Sequence, residues 1–284
     1  MFSSNLVFHI GLHKTGTTFL QSKIFPNVVG IDYMVWRNLE YFLRLDEIRR
    51  YLISCEGLSG YTFASREARE KSIRSLGEMF PDARIIIVFR PHGDFVSSLY
   101  SQYIRYGGTL PIEKFFQIPG DPHGTVESGP IIDAGSIDYQ MIIQDIENNF
   151  RTPPMVLIMG DIFKNPKAFL DDFCTYTGCQ YDERILAKFQ EKPVNTSLKR
   201  WHGKMLLRIN KILGGRVSLD GRNRPFPRLR RLGFGPAEIF LDKLDFIPSG
   251  PLVGRDVKDR INQHFSDQWR QICDYAAARK WQKI

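Results

Sequence analysis

Apolar positions along this chain fall into short unbroken runs separated by longer amphipathic stretches. Leu6–Ile10 is the first run, with His9 its one polar side chain. It breaks at Gly11 and passes into HKTGTT, after which FLQSKIF keeps helical spacing as far as Pro26. That order predicts a strand, a glycine-containing turn and a helix. Tyr51–Ser54 is a second short run. Arg66–Phe80 predicts an amphipathic helix with Ala68, Ile73, Leu76, Met79 and Phe80 as its apolar positions, stopped by Pro81. The plainest strand is RIIIVF at Arg84–Phe89, nearly all apolar and β-branched. Such a run suits a strand covered on both faces of a parallel sheet. Asp94–Tyr106 then predicts a helix closed by Gly107 and Gly108. MVLIMGD, Met155–Asp161, predicts a further buried strand, and Pro166–Tyr176 a helix with proline at its start and Gly178 just past its end. Helical spacing returns over Val257–Trp281.

Strands alternating with helices predict an α/β fold around a mostly parallel sheet with right-handed crossovers. No internal repeat or low-complexity linker divides the chain, so residues 1–284 read as one domain. Gly214–Pro236 is rich in arginine and turn residues and reads as a basic surface excursion from it. The 39 Lys and Arg against 31 Asp and Glu leave a net charge of +8, which suits anionic partners without choosing among them. No RRM, zinc-finger or helix-turn-helix signature accompanies the charge, so nucleic acid is not the expected partner. Cys55, Cys174, Cys179 and Cys273 fit neither zinc-ligand spacing nor a disulfide framework and read as reduced packing thiols of a cytoplasmic protein. The first residues lack the basic and apolar regions of a signal peptide, and no apolar run is long enough to span a membrane.

The chemistry concentrates in Gly11–Thr18 (GLHKTGTT). A turn between a buried strand and a helix exposes unpaired backbone N–H groups, and the helix dipole adds partial positive charge. Gly11 and Gly16 let the backbone curl closely around an anion, Lys14 adds a full charge, and Thr15, Thr17 and Thr18 add hydroxyl donors. Lys14 precedes Gly16, so the segment is not a standard Walker A loop, where lysine follows the last glycine. A second anion site is predicted where Arg90 leaves the strand Arg84–Phe89, eight residues before Ser98. Open α/β sheets bind ligands at the carboxyl ends of their strands. There an arginine fork and a helix-borne hydroxyl can share one phosphate. Ser97 is the neighbouring choice for the hydroxyl.

With both segments in view, FHIGLHKTGTTFLQ resembles the 5′-phosphosulfate loop of sulfotransferases that use 3′-phosphoadenosine 5′-phosphosulfate (PAPS). Arg90 followed by Ser98 resembles the 3′-phosphate motif of the same family, with Pro91 one place earlier than that pattern often has it. The resemblance implies a three-layer α/β/α, P-loop NTPase-like fold. It assigns Lys14, Thr15, Gly16, Thr17 and Thr18 to the 5′ end of the donor, and Arg90 and Ser98 to its 3′-phosphate. It gives Lys14 a second, catalytic role as donor to the oxygen bridging sulfur and phosphate, with no metal, and adenosine 3′,5′-bisphosphate (PAP) as the product. The segment SLYSQYIRYGG is similar to bacterial members acting on carbohydrates or other small acceptors, which implies a hydroxylated acceptor, with a carbohydrate or glycoconjugate as the first choice.

The acceptor hydroxyl needs a base. Glu56 is the first choice, and His13, Asp32, Glu40 and His92 compete with it. His9 reads as a hydrogen-bonded core histidine and Phe19 as core. Tyr100 and Tyr103 stay open between core and acceptor cleft. Arg216–Arg231 and Lys199 or Arg200 are candidates to approach the nucleotide. The alternatives are a P-loop nucleotide kinase or NTPase, with Met155–Asp161 as its Walker B strand, and an inactive nucleotide-binding relative.

Overall fold

The computed structural model describes residues 2–35, 48–118, 131–191, 198, 200–212 and 250–278. Glu40, Lys199 and the Gly214–Pro236 excursion lie outside the described residues. The chain groups into two compact units. One takes Met1–Pro91, Gly135–Val194 and Ser266–Ile284; the other takes His92–Ala134 and Asn195–Phe265.

The first unit is built on a five-stranded, wholly parallel sheet. Its strands are β1 (Leu6–His9), β3 (Asp32–Val35), β4 (Tyr51–Ser54), β5 (Arg84–Phe89) and β6 (Met155–Ile158), in the spatial order β3-β4-β1-β5-β6. Two-residue strands β2 (Val28–Val29) and β7 (Gln180–Tyr181) form a separate antiparallel pair. β1, β4 and β6 are buried along their whole length and β5 at every residue but Arg84, which explains their unbroken apolar runs.

Alternation sorts their side chains onto two faces. Val7, Leu52, Ile86, Val88, Met155 and Leu157 share a core with Leu20, Ile24, Phe25, Phe169, Leu170 and Phe173. Of these, Leu20, Ile24 and Phe25 belong to the helical segment that begins as α1 (Thr17–Phe19). On the other face Phe8 meets Phe80, the C-cap of α2 (Arg66–Met79), and Phe89 stacks on Tyr139 of α5 (Tyr139–Asn149) at 4.4 Å. Helices thus cover both faces, giving three α/β/α layers. α6 (Met159–Lys164), α7 (Pro166–Thr177) and α10 (Ser266–Ala278) complete this unit.

Three predicted elements differ in detail. The helix after Thr17 continues to Pro26, but it widens to a π-helix over Leu20–Ile24 before a 3-10 turn at Phe25–Asn27. The wider turn lets Leu20, Ile24 and Phe25 all face the sheet, and Pro26 ends it. The strand predicted over Met155–Asp161 stops at Ile158, opposite the last residue of β5, because the ladder has no partner beyond it; Met159 already begins α6. The helix predicted over Val257–Trp281 is two helices, α9 (Arg255–His264) and α10, separated at Phe265.

The second unit is helical among its described residues, with α3 (His92–Arg105), α4 (Ile112–Phe115), α8 (Arg200–Ile212) and α9. α3 packs on α9 so closely that a Cβ on Gly93 would lie 2.4 Å from the Lys258 carbonyl oxygen. Lys258 also bonds Asp94 at 2.8 Å, and buried Asn210 of α8 donates to the carbonyls of Ile104 and Gly108 at 2.9 Å each. Among the described residues no helix is long and apolar enough to cross a membrane.

Candidate functional site

The segment Gly11–Thr18 leaves the carboxyl end of β1, between the ends of β4 and β5. Pairing continues one step past the strand: Leu12 N–H donates to Val88 O at 3.3 Å, and Val88 N–H to Gly11 O at 2.6 Å. The backbone then curls, with positive φ at Gly11 (112°), Lys14 (65°) and Gly16 (83°). Alternation between right- and left-handed conformations turns successive N–H groups toward one concavity. The N–H groups of Thr15, Gly16, Thr17 and Thr18 meet no backbone acceptor among the described residues. A Cβ on Gly11 would stand 3.3 Å from both His13 N and Ser59 Oγ, so the turn is compact as well as left-handed there.

The threonine hydroxyls divide differently from the sequence expectation. Thr15 Oγ1 donates to Leu12 O at 2.7 Å inside the turn, and Thr17 Oγ1 donates to Glu56 Oε1. Both side chains are buried and brace the turn itself, whereas Thr18 is exposed. The anion donors the turn retains are therefore chiefly backbone N–H groups.

Glu56 opens a 3-10 turn, Glu56–Ser59, directly after β4. Cys55 N–H donates to His9 O at 3.0 Å and carries the β1–β4 pairing up to that turn. Glu56 Oε2 then accepts from His13 Nδ1 at 2.6 Å, with both side chains about one-fifth exposed (20% and 22%). Burial pushes the Glu56 carboxyl up. Hydrogen bonds from His13 and Thr17 outweigh that and hold it below the ordinary carboxylate range.

Arg69 of α2 locks this turn from beneath. It is buried, and its Nη1 donates to Ser59 O at 2.7 Å. Burial lowers its guanidinium to about 10, which leaves it charged at neutral pH. Arg69 was not among the residues expected from the sequence. Its signal was there: it stands four before Ile73 and seven before Leu76, a charge on the apolar side of a helix.

His9, at the end of β1, is wholly buried. Its Nδ1 lies 2.7 Å from Ser54 Oγ, which also accepts from Gln21 Nε2 at 3.0 Å. Burial lowers its pKa to about 4, against the opposing charge of Glu56, so it is a neutral hydrogen-bonded core group.

Arg90 follows β5 at the same sheet edge, and its Nη1 donates to Lys14 O at 3.0 Å. The Arg90 carbonyl accepts from Tyr139 OH at 3.1 Å. The fold thus brings Lys14, His13, Thr17, Glu56 and Arg90 together at one edge of the first unit. Ser98 lies on α3 in the second unit, half-buried, beside buried Ser97, whose carbonyl accepts from Ser101 Oγ at 2.9 Å. Tyr100 and Tyr103 are buried with Phe115. Tyr100 OH donates to Leu110 O, and Tyr103 OH accepts from the Thr109 and Leu110 N–H groups. Phe19 packs on Phe163 and Phe189.

Two other base candidates, Asp32 and His92, are among the described residues. Asp32 begins β3 opposite Tyr51, the amino-terminal edge of the sheet, and bonds Arg49 at 3.2 Å. His92 is buried in the second unit, stacked on Phe265 at 4.2 Å. Asp161, the acid a Walker B reading requires, lies in the first turn of α6, exposed and bonded to Lys164 at 2.9 Å.

No protein-family model matches this sequence, and no curated protein sequence matches it significantly. Among solved structures, it is similar to a sulfotransferase from Alicyclobacillus acidocaldarius, at 14% identity and a TM-score of 0.44, over 76% of this chain and 98% of that one. It is also similar to mouse sulfotransferase SULT7A1 complexed with PAP, at 15% identity and a TM-score of 0.40, over 92% of this chain and 89% of that one. Likeness at this level is too low to carry a function across.

Proposed function

We propose that this protein is a sulfotransferase that moves a sulfuryl group from PAPS to an acceptor hydroxyl and releases PAP. The observation that carries the reading is the curled Gly11–Thr18 turn. It has a lysine at its centre, backbone N–H groups unclaimed by other backbone, and a neighbouring strand end that delivers Arg90 onto the Lys14 carbonyl. Such a turn suits a doubly charged oxyanion, because backbone N–H dipoles fixed by the fold need no reorganising and the lysine beside them carries a full positive charge. When bound, the donor supplies the sulfuryl group and a phosphate leaving group.

The chain's own residues divide the remaining work. The N–H groups of Thr15, Gly16, Thr17 and Thr18 hold the 5′ end. Lys14 meets the negative charge that grows on the oxygen released from sulfur. Arg90 and Ser98 take the 3′-phosphate, as their spacing in the sequence suggests. The Glu56–His13 pair receives the acceptor's proton. Sulfuryl transfer then depends on positioning and charge stabilisation, as phosphoryl transfer does. A carbohydrate or glycoconjugate hydroxyl is the acceptor class to test first.

Calorimetric titration with PAP and with ATP, without added metal, tests the donor site. Tight PAP binding with weak ATP binding is expected, followed by PAP release from PAPS. Magnesium-dependent ATP turnover with no affinity for PAP would replace this reading with a kinase or NTPase.

A further inference from the structure

We propose that His13, through Nε2, is the group that takes the acceptor's proton, and that Glu56 acts through it as a positioning residue. The inference rests on the sulfuryl-transfer reading and deepens it by dividing the work of the Glu56–His13 pair. Both Glu56 oxygens are engaged, Oε1 by the Thr17 hydroxyl and Oε2 by His13 Nδ1 at 2.6 Å. An ionised carboxylate only accepts hydrogen bonds, so the proton between the two side chains belongs to Nδ1. In the neutral ring that leaves the lone pair on Nε2. This atom is buried and meets no hydrogen-bond partner among the described residues. Buried ring nitrogens are ordinarily satisfied. This one stands on the residue before Lys14, where an acceptor oxygen would complete it.

The division also follows from basicity. A carboxylate held ionised by two donors has little drive to remove a proton from a hydroxyl. An imidazole is better matched to work near neutral pH. A base whose second nitrogen is oriented by a carboxylate is the arrangement that activates hydroxyl nucleophiles elsewhere. Here Thr17 fixes one oxygen of the carboxylate, and the other fixes the imidazole. His13, Lys14 and Thr17 belong to one turn, so the proton acceptor and the leaving-group donor stand on neighbouring residues. The step balances without a further reactant. The acceptor O–H proton moves to Nε2 as the acceptor oxygen bonds sulfur. The bond from sulfur to the phosphate oxygen breaks, and its electron pair stays on that oxygen beside Lys14.

Two readouts test this. The first is a long-range 1H–15N spectrum of the histidine rings at assay pH, with His13 assigned by loss of its signals in His13→Gln. The expected result is a protonated Nδ1 and a bare Nε2, with the tautomer shifting in Glu56→Ala. The second is PAP release from PAPS, with water and then simple glycosides as acceptors, alongside calorimetric PAP affinity for each variant. His13→Gln should lower kcat by about 100-fold or more while PAP affinity stays within about three-fold, which also shows that the variant folds. Free imidazole should restore part of the loss in His13→Ala, and Glu56→Ala should lower kcat without raising KM. A proton on Nε2 of the wild-type ring overturns the inference. So does His13→Gln turnover within about three-fold of wild type when Lys14→Ala is inactive; both outcomes leave the donor reading standing. A wild-type protein that neither binds PAP nor turns over PAPS overturns the donor reading, and this inference with it.

Discussion

The turns that leave β1 and β5 stand side by side at the carboxyl edge of adjacent parallel strands, yet they present positive charge in different ways. After β1 the backbone itself is the instrument. Three residues adopt positive φ, Thr15 and Thr17 engage their hydroxyls inside the structure, and the N–H groups of Thr15, Gly16, Thr17 and Thr18 meet no backbone acceptor among the described residues. After β5 there is no curl. The chain passes through Pro91 into α3, and the charge is a single guanidinium braced on the Lys14 carbonyl. A site made of backbone depends on shape and tolerates changes of side chain only where φ allows. A site whose charge is one guanidinium depends chiefly on that group. The two should therefore fail differently when altered.

The widest separation is expected from Lys14→Ala. Removing the charge that meets the leaving oxygen should lower kcat for sulfuryl transfer by about 10²–10³-fold, in line with loss of one oxyanion donor. PAP affinity should fall much less, because the backbone donors remain. A parallel loss of affinity and kcat in steady-state and calorimetric measurements would assign Lys14 to binding alone.

Acid should weaken the β1 side first. His9 titrates at about 4 in the folded chain against 6.5 when unfolded. Between those values the unfolded chain binds more protons, so stability is complete above about 6.5 and declines as pH falls toward 4. The loss reaches about 3 kcal/mol at most. Denaturant unfolding across that window should show the slope in the wild type and a flatter one in His9→Gln. Equal slopes would remove His9 from the account.

Arg90→Ala should weaken PAP by about 10–100-fold, the worth of charge-assisted hydrogen bonds to one phosphate, and leave 5′-AMP affinity little changed. Arg90→Lys should not restore it, since an ammonium lacks the fork. Equal losses for both nucleotides would place Arg90 at the 5′ end instead. The smallest effect is expected from Gly16→Ala. Left-handed φ at that position costs about 1–2 kcal/mol with a Cβ, which would also stand 3.4 Å from the Met159 methyl. Unfolding free energy should drop by that amount, whereas Pro91→Ala on the other turn should leave PAP affinity unchanged.

Much of the frame was legible because burial on two faces leaves a plain trace. Arg84–Phe89 is the strand its β-branched run predicts, and Pro166–Thr177 is the helix announced by its proline and Gly178. Edge strand β3 was not anticipated. Asp32–Val35 is only partly covered, so its sequence lacks the apolar run that marks an inner strand. Helix α5 was also missed, although its first residue stacks on Phe89 and steadies Arg90. The end of β6 was set by where β5 stops, a condition that lies in another part of the chain.

The sequence by itself determined the parallel α/β frame and the two charged segments at strand ends. Strand periodicity, glycine placement and the Lys14 and Arg90 positions are local properties of the chain. Only the tertiary structure decided that His13 meets Glu56, that Thr17 turns its hydroxyl inward, and that Arg69 sits buried under the Ser59 carbonyl. Those pairings join residues 10 to 43 positions apart. They arise because parallel strands align their carboxyl ends, and no local pattern records which side chains meet there.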